Sequence, residues 1–450
     1  MNRSGRALPS GCSRFFALAA GVGILGAGPA LAQTFLQGPA LLGNAGGLRP
    51  VLAAHGVSLT FTDSENLLAN LAGGVKTGAT LQGVTTGTLE LDTAKAFGWP
   101  GGTLHLSALQ IHGRSLSGPY LANLQTANGN EAEDGARLWE MWYDQSLAGG
   151  RADVKIGQQS IDNEFVTSKY SGLFINTMAG WPLLPSEDLY AGGPAYPLAS
   201  LGARLQLQPA GDQSILAGVF DDNPGGSRNF SADGQQLDRS GGRFSFATGA
   251  LFIAEYGVSA SPLGLPGRYK IGFWYDTGGF PDQRYGTDGL SLAAPASNGT
   301  PLMHHGNHSM YAVADQTIWQ SAGDSSRNIN LFGRIMAAPD AQNYIDFFFN
   351  GGITMAAPLP GRDADQLGVD FGLGKVSRRK AGLERDSASR AQTDEELFEL
   401  TYQAVALPWL VVQPDVQYIV NPGAGIADPQ DPARGLGNEL VAGVRVVSTF

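Results

Sequence analysis

Apolar and polar residues alternate along short segments from one end of this chain to the other. The stretch 57–62 reads VSLTFT, and in the stretch 138–144, LWEMWYD, the alternation sets Trp139 and Met141 against Glu140. Successive side chains of a β-strand point to opposite faces, so each segment predicts a strand with one apolar and one polar face. About sixteen such segments recur, each near the ~10 residues of a tilted membrane-spanning strand. The repetition predicts an all-β fold.

The connections between these segments alternate in length. Short links are predicted at 147–150, 208–213, 261–267 and 407–408. Long links are predicted at 112–136, 161–198, 278–307, 376–395 and 419–436. Transmembrane β-barrels combine short periplasmic turns with long external loops, although the link near Pro339 is short where a long one is expected. The rhythm predicts a transmembrane antiparallel β-barrel of about sixteen strands, with both termini in the periplasm.

The last segment, NELVAGVRVVSTF at 438–450, ends on Phe450 within an alternating pattern. A last strand that pairs with the first closes a barrel and removes both sheet edges. A terminal Phe after such a strand also resembles the signal that the barrel-insertion machinery reads in bacterial outer-membrane barrels. The alternative is a strand of a soluble β-sandwich that ends in Phe by chance.

The N-terminus has the pattern of a secretory signal. The first fourteen residues hold three arginines and no acid, and the apolar run FFALAAGVGILGAG follows, then ALA at 30–32. This order predicts a signal peptide at 1–32 that is cleaved, and an outer-membrane β-barrel domain at 33–450. An uncleaved membrane anchor is the alternative, but the run is short and rich in glycine.

Cleavage changes the charge and removes the cysteine. The 29 basic residues become 26 against 40 acidic ones, a net charge near −14. An acidic balance argues against a nucleic-acid partner. Cys12, the single cysteine of the chain, would leave with the signal, so we expect no disulfide and no cysteine-bound metal.

Three segments resemble the carbohydrate-selective porin family of the OprB type. They read FGWPGGTLHLSALQIHG, LWEMWYDQSLAGGRADVKIGQQSIDNEF and GWPLLPSEDLYAGGPAYPLASLGARL. The likeness covers most of the mature chain and is clearest from Phe97 to Leu207. It implies a sixteen-stranded barrel in the cell outer membrane through which glucose and similar small sugars diffuse passively, without enzymatic activity, cofactor or energy source. General porins of this size are commonly trimers, so a homotrimer is one expectation, but no outward patch in the sequence identifies a subunit contact.

The longest predicted loop, 161–198, is the first candidate for sugar contacts. In sixteen-stranded porins the loop at this place folds inward and narrows the lumen. Aromatic rings stack on the apolar faces of sugars, and charged or amide groups bond to their hydroxyls. The loop carries both types, in Asp162, Glu164, Lys169, Tyr170, Phe174, Asn176 and Trp181. The alternative for Phe174 and Trp181 is that they pack the loop onto the wall.

The strands supply a second set of candidates. An Arg or Lys on a lipid-facing row would cost ~2–4 kcal/mol at the membrane midplane, so charges opposite the apolar rows predict a wet interior. The predicted pore-lining residues are His105, Glu140, Lys155, Arg204, Arg334, Asp346 and Arg445. Lys155 and Arg204 are the strongest candidates because their strands flank the loop, and many of the others are expected to pair with each other.

Two further segments have competing interpretations. The histidines of HHGNH, at 304–308, suggest a metal site, but a solvated external loop without a fixed carboxylate is the favoured interpretation. The basic stretch 375–390 would contact anionic lipopolysaccharide or be a mobile surface loop, and the loop is favoured.

The rival functions are a β-rich carbohydrate-acting enzyme, secreted or in the outer membrane and built on a carboxylate pair, and a plugged structural barrel.

Overall fold

Sixteen antiparallel strands close into one barrel in the computed structural model of the chain, which describes residues 38–262 and 264–450. The first eight are β1 (Val57–Ala72), β2 (Gly78–Asp92), β3 (Gly102–Gly113), β4 (Gly135–Leu147), β5 (Ala152–Gln159), β6 (Ser200–Leu207), β7 (Gln213–Asp221) and β8 (Ala250–Ala260). The others are β9 (Gly267–Gly286), β10 (Pro301–Gln320), β11 (Asn328–Ala337), β12 (Ile345–Ala356), β13 (Gln366–Val376), β14 (Asp394–Leu407), β15 (Leu410–Val420) and β18 (Glu439–Thr449). The predicted signal peptide lies outside the described residues.

Among the described residues, a small two-stranded ribbon and six short α-helices lie before β1 or in the connections between the barrel strands. The ribbon pairs β16 (Ala427–Asp428) with β17 (Asp431–Gly435). The helices are α1 (Leu48–Ala54), α2 (Thr93–Phe97), α3 (Leu183–Asp188), α4 (Gly234–Leu237), α5 (Arg378–Asp386) and α6 (Pro422–Gly425). Within 38–262 and 264–450, no helix combines the length and the apolar character needed to cross a membrane.

The last strand closes the barrel, as predicted. β18 pairs with β1 from Thr449 opposite Thr62 to Leu440 opposite Ala72, and with β15 on its other side. Beyond the strand, the Phe450 N–H donates to the Phe61 carbonyl at 2.8 Å. The closure leaves no free edge in the barrel sheet, which is the arrangement that satisfies every backbone group within a membrane.

In the barrel wall, most apolar residues of each alternating segment face outward and most polar residues face inward. On β13, Val369 is exposed and its neighbour Asp370 is buried; on β9, Phe273 is exposed and Trp274 is buried. The main apolar cluster lies inside, where residues of the 160–199 segment, among them Phe165, pack against wall residues of the barrel. The core is therefore the interior of the barrel and not a layer between two sheets.

A β-bulge changes which side chains of β4 face inward, so the faces predicted for this strand are partly wrong. Leu106 pairs with Met141 and Ala108 pairs with Leu138, so Ser107 alone lies opposite both Trp139 and Glu140. The extra residue shifts the alternation. Trp139 consequently turns inward, where its ring lies 5.9 Å from that of Tyr196, instead of sharing a face with Met141.

The long connections differ in part from the predicted ones. β9 and β10 extend further than predicted, which leaves 287–300 as the loop in place of 278–307. The HHGNH segment is therefore part of β10, and the expectation of a loop is wrong. The stretch 375–390 includes α5, so it is not an irregular loop. The connection 222–249 is long where no long link was predicted.

Candidate pore site

The segment 160–199, between β5 and β6, reaches strands on the far side of the barrel. The Val166 N–H donates to Glu255 of β8 at 3.1 Å, and the Ile175 N–H donates to Glu399 of β14 at 2.6 Å. The Leu173 carbonyl accepts from Gln413 of β15 at 2.7 Å. Because β14 and β15 lie nearly opposite β5 in the closed sheet, these bonds run across the interior.

Arg334 is the main cationic anchor of this segment. Its guanidinium donates to the carbonyl oxygens of Gly180 at 2.7 Å, of Val166 at 3.3 Å and of Met178, and to Asn350 Oδ1 at 2.9 Å. The side chain is fully buried. The sequence predicted Arg334 as a pore-lining residue, and the structure shows its donors used by the backbone of the segment.

The connection 114–134 is also fixed to the inner wall. Glu395 of β14 accepts from the N–H groups of Leu124 at 2.8 Å and Gln125 at 3.0 Å. Glu131 lies within this connection, and burial raises the pKa of its carboxyl. The sequence predicted a long loop here but did not predict that the loop enters the barrel. No side chain in the stretch distinguishes a loop that folds inward from an external one.

Lys155 and Arg204 meet, as expected for residues on strands that flank the loop. They lie opposite each other in the β5–β6 register, and both bond to Glu164. The Arg204 Nε to Glu164 Oε2 distance is 2.7 Å. Arg204 also pairs with Asp153, and with Asp144 at 3.4 Å. We call these five residues the charge cluster.

An aromatic platform adjoins the charge cluster. The Trp142 ring stacks on His105, with centroids 4.4 Å apart and planes 2° apart, and Lys155 Nζ lies 4.3 Å from the Trp142 ring centroid. His105 Nε2 lies 3.9 Å from Glu140 Oε2. A cavity of about 260 Å³ opens between platform and cluster, just below the ~300–1,000 Å³ range of small-molecule sites. It is lined by residues that include Glu140, Trp142, Lys155, Glu164, Phe165 and Phe220.

Trp142 and Arg137 are candidates that the sequence interpretation missed. Trp142 lies in the same row as Asp144, so the alternation itself could have identified it as inward-facing. Arg137 is buried, and its Nη2 donates weakly to the Glu133 carbonyl at 3.4 Å. Its Nε and Nη1 have no partner among the described residues. The sequence alone does not show whether the side-chain donors of an Arg in a predicted strand will be unpaired in the folded chain.

The polar residues of the 160–199 segment serve mainly to fix it. Asp162 accepts from Ser160 Oγ at 2.6 Å and from the Tyr196 N–H at 3.1 Å, and burial raises the pKa of its carboxyl. The Tyr170 hydroxyl bonds Thr317 of β10 at 3.0 Å. Lys169 places its Nζ 5.4 Å from the Tyr170 ring centroid.

Phe174, Trp181 and Asn176 lie inside the packed segment. The Phe174 ring lies 5.7 Å from that of Phe332, and Trp181 Nε1 donates to the Gly192 carbonyl at 2.9 Å. Asn176 Nδ2 donates to Gln417 at 3.0 Å. All three side chains are buried. Their contacts match the packing alternative that the sequence left open for the two aromatics.

Arg445 and Asp346 lie apart from the charge cluster. Arg445 Nε donates to Asn66 Oδ1 at 2.8 Å across the β1–β18 seam. Asp346 occupies a register shift at the start of β12. His304 bonds Asp282 at 2.9 Å, and Asp282 also pairs with Arg379, so the expected lack of a fixed carboxylate beside the histidines is wrong.

Two neighbouring acidic residues of α3, Glu187 and Asp188, form no ion pair with a cation within 38–262 and 264–450. Asp188 Oδ1 accepts from the N–H groups of Tyr344 at 2.8 Å and Ile345 at 3.2 Å, which docks the helix on β12. Burial raises the pKa of Asp188 well above its usual range and the pKa of Glu187 to about 7. Both groups favour the protonated form more than a free carboxyl does.

Comparisons with known proteins agree on one family. The family described as "Carbohydrate-selective porin, OprB family" matches residues 76–450. Porin B of Pseudomonas aeruginosa is 25% identical over 442 residues, 91% of each chain, and the putative porin QuiX of Acinetobacter baylyi is 24% identical over 417 residues, 87% of this chain and 90% of the other.

A solved structure shares the fold. The high pH structure of Pseudomonas putida OprB has a TM-score of 0.80 at 23% identity and covers 92% of this chain and 99% of its own. Its low pH structure covers the same shares with a TM-score of 0.57. With the family match over most of its length and the closed sixteen-stranded barrel, the chain belongs to the carbohydrate-selective porin family and is a β-barrel porin of the outer membrane.

Proposed function

We propose that this porin passes glucose and similar small sugars by passive diffusion, along a path narrowed by the 160–199 segment. The observation that carries the proposal is the cavity between the Trp142 platform and the charge cluster. A sugar there would meet the Trp142 ring together with the Lys155 ammonium and the Glu164 carboxylate, which line the cavity. These groups match the apolar C–H faces and the hydroxyl edges of a sugar.

The order of residues along β4 suggests successive weak contacts. Trp142 lies in the middle of the strand and Asp144, whose side chain is partly exposed, lies nearer the periplasmic end. Conduction requires binding that is strong enough for entry and weak enough for exit, and several partial sites meet this condition.

We propose three further partners: outer-membrane lipids, lipopolysaccharide and the barrel-insertion machinery. The outward apolar rows fit outer-membrane lipids, and Phe450 fits the barrel-insertion machinery as a terminal aromatic. The α5 segment is a limited candidate for lipopolysaccharide, because Arg379 pairs with Asp282 and Asp386 pairs with Arg284. A homotrimer is a further proposal, since general porins of this size are commonly trimers.

We further propose that the chain has no catalytic activity, in keeping with membership of a porin family. Incubation with labelled oligosaccharides tests this part. The substrates should be recovered intact, and cleavage would favour the rival carbohydrate-acting enzyme.

Efflux of labelled glucose from proteoliposomes tests the transport function. With the refolded chain, glucose should leave until its concentrations on both sides are equal, and leave no faster when an ion gradient is imposed. Empty liposomes processed in parallel give the leak rate. Efflux at the leak rate from correctly folded protein would contradict the proposal and support a plugged barrel.

A further inference from the structure

The charged side chains around the cavity differ in how far a solute can reach them. Those of Glu164, Asp144 and Asp153 are between 22% and 25% exposed. The Lys155 side chain is 10% exposed and the Arg204 side chain is 4% exposed. Nε, Nη1 and Nη2 of Arg204 each donate to a carboxylate, and Lys155 Nζ bonds to Glu164. A solute in the lumen therefore meets carboxylate oxygens, while both cations are already bonded.

A fourth reachable carboxylate lies beside the Trp142 platform. Glu90 of β2 is opposite His105 in the β2–β3 register, and its Oε1 lies 3.3 Å from His105 Nδ1. Its side chain is 50% exposed. The position is in phase with the buried, inward Gln82 of the same strand. The Glu90 carboxylate is thus held next to the platform and is open to the lumen.

Glu140 adds a carboxylate to the cavity wall itself. Its Oε1 accepts from the Ser160 N–H at 3.0 Å. Its Oε2 lies 3.4 Å from Asn163 Nδ2 and 3.9 Å from His105 Nε2, and both distances are long for a hydrogen bond to a carboxylate. One oxygen of this cavity-lining group therefore has only weak partners.

The balance of charge on this side of the lumen is negative. Two cations stand beside four carboxylates that are each a fifth or more exposed, those of Glu90, Asp144, Asp153 and Glu164. Among the described inward-facing residues of β2 to β6, the one further Lys or Arg is Arg137, which is buried near the external end of β4. The path past the cavity therefore has an excess of negative charge.

We propose that this path prefers protonated amino sugars to neutral sugars of the same size, and disfavours sugar acids. A protonated amino sugar offers the Trp142 ring the same apolar faces as glucose, and its ammonium group replaces one hydroxyl. An ammonium bonds to a carboxylate more strongly than a hydroxyl does. A sugar acid would bring a further carboxylate among carboxylates, and the two cations that could pair with it are already bonded. The inference rests on the proposed function, because it requires sugars to occupy the cavity.

Lys155 determines which groups would bind the amino group. Its Nζ lies 4.3 Å from the Trp142 ring centroid, so the cation position at that ring is occupied. A second ammonium at the ring would be repelled by the first. The amino group is therefore directed to Glu140 and to the reachable carboxylates, and an apolar face of the sugar is left for the ring.

Titration of the single-channel conductance with three matched sugars tests the preference. Glucose, glucosamine and glucuronate have the same ring and differ in one substituent, and at pH ~6 the amine is protonated. Glucosamine should half-block the channel at about a fivefold lower concentration than glucose, which is the upper range for a partly exposed ion pair. Glucuronate should block least. Averaging over both voltage polarities removes the direct pull of the field on the charged sugars.

The outcomes separate this inference from the proposed function. Block by glucose with an equal or weaker block by glucosamine would overturn the inference and leave the passage of glucose standing. A stronger block by glucuronate would also overturn it, and would assign the recognition to Lys155 and Arg204. The absence of block by all three sugars would contradict the proposed function and the inference together.

Isosteric variants test the assigned carboxylates. Asp144→Asn and Glu90→Gln keep the shape of the side chain and remove its charge, and each should reduce the preference for glucosamine about twofold. The matched control is Asp212→Asn, at an exposed position of the turn between β6 and β7, which should keep the preference. The heat-dependent gel shift of folded barrels verifies that the variants fold.

The zero-current potential in a KCl gradient gives a measurement without sugar. It should show a preference for K⁺ in the wild type that falls in Asp144→Asn and Glu90→Gln and persists in Asp212→Asn. A wild-type preference for Cl⁻, or an equal fall in the control, would overturn the proposal.

Discussion

The two sides of the barrel interior use charge in different ways. On β11 to β15, Arg334 and Glu399 bond to backbone groups of the 160–199 segment, and Glu399 is 1% exposed. On β4 to β6, Lys155 and Arg204 bond to carboxylate side chains, and the Glu164 side chain is 25% exposed. The first side fixes a loop. On the second side water or a solute can reach the partly exposed carboxylates, although Lys155 and Arg204 themselves are buried.

An inward charge in a porin wall is therefore not by itself a solute contact. Backbone amides and carbonyls have fixed positions, so a bond to them immobilises both partners. Ion pairs between side chains can exchange a partner for a hydroxyl without leaving a buried group unsatisfied. The identity of the partner therefore separates anchors from candidate contacts more clearly than the sign of the charge does.

Replacing the anchor should have the largest effect. Arg334→Ala would leave the carbonyls of Val166, Met178 and Gly180 without their donor in a buried place, at a cost of ~1–3 kcal/mol for each unsatisfied group. We expect the segment to loosen, the single-channel conductance to rise and the effect of glucose on it to disappear. Arg378→Ala, at a side chain that is 82% exposed, is the control and should behave like the wild type. Unchanged conductance in Arg334→Ala would show that the segment is held by other contacts.

A change in pH should affect the side of the barrel on which the 160–199 segment is anchored. The folded chain raises the pKa of Glu187 from 4.5 to about 7, so the docked segment binds a proton that a free carboxyl would release. Docking should be strongest below about pH 4.5 and should weaken as the pH rises through 7, by at most about 3 kcal/mol.

A conductance series from pH 4.5 to 8 measures this dependence. The wild-type conductance should increase with pH, and Glu187→Gln should flatten the rise, with Asp188 providing what remains. Glu133→Gln, at an exposed position outside this packing, serves as the control. A wild-type conductance that falls over this range would reverse the assigned sign.

On the contact side, a smaller and more specific change is expected. Lys155→Met removes the cation above Trp142 and one partner of Glu164 while it keeps most of the side-chain volume. Glucose should bind about tenfold more weakly, which is ~1.4 kcal/mol, with little change in conductance without sugar. A titration of the glucose-induced block measures both quantities. The matched control is Lys380→Met in α5, which should leave the block unchanged.

The smallest effect should come from an aromatic of the packed segment. Phe174→Leu keeps an apolar side chain against Phe332 and should cost ~1 kcal/mol of stability without altering the glucose block. Thermal unfolding and the same titration check the two parts. A loss of glucose block without a loss of stability would return Phe174 to the sugar-contacting residues.

Most of the fold could be predicted from the sequence, because the strands of the barrel share one alternation of mostly apolar outward and mostly polar inward residues. Alternation over each strand and the rhythm of the links were enough for sixteen strands and for closure by the last one. The bulge at Trp139 and the added length of β9 and β10 depend on pairing partners, which local alternation does not contain.

The candidate site was predictable where neighbouring strands flank the loop, as with Lys155 and Arg204. It was not predictable for Arg334, since an anchor and a pore-lining charge have the same pattern in a strand. The distinction requires the position of the 160–199 backbone, which is set by contacts with strands far away along the chain.

If sugar passes between the Trp142 platform and the charge cluster, glucose should occupy that gap while it permeates. The most direct measurement is the single-channel conductance of the refolded protein in a planar bilayer, titrated with glucose and with a non-sugar solute of similar size, for the wild type and Trp142→Ala. The conductance should decrease saturably with glucose alone, and less strongly in Trp142→Ala. A decrease that is identical for both solutes, or unaffected by Trp142→Ala, would contradict passage along this path.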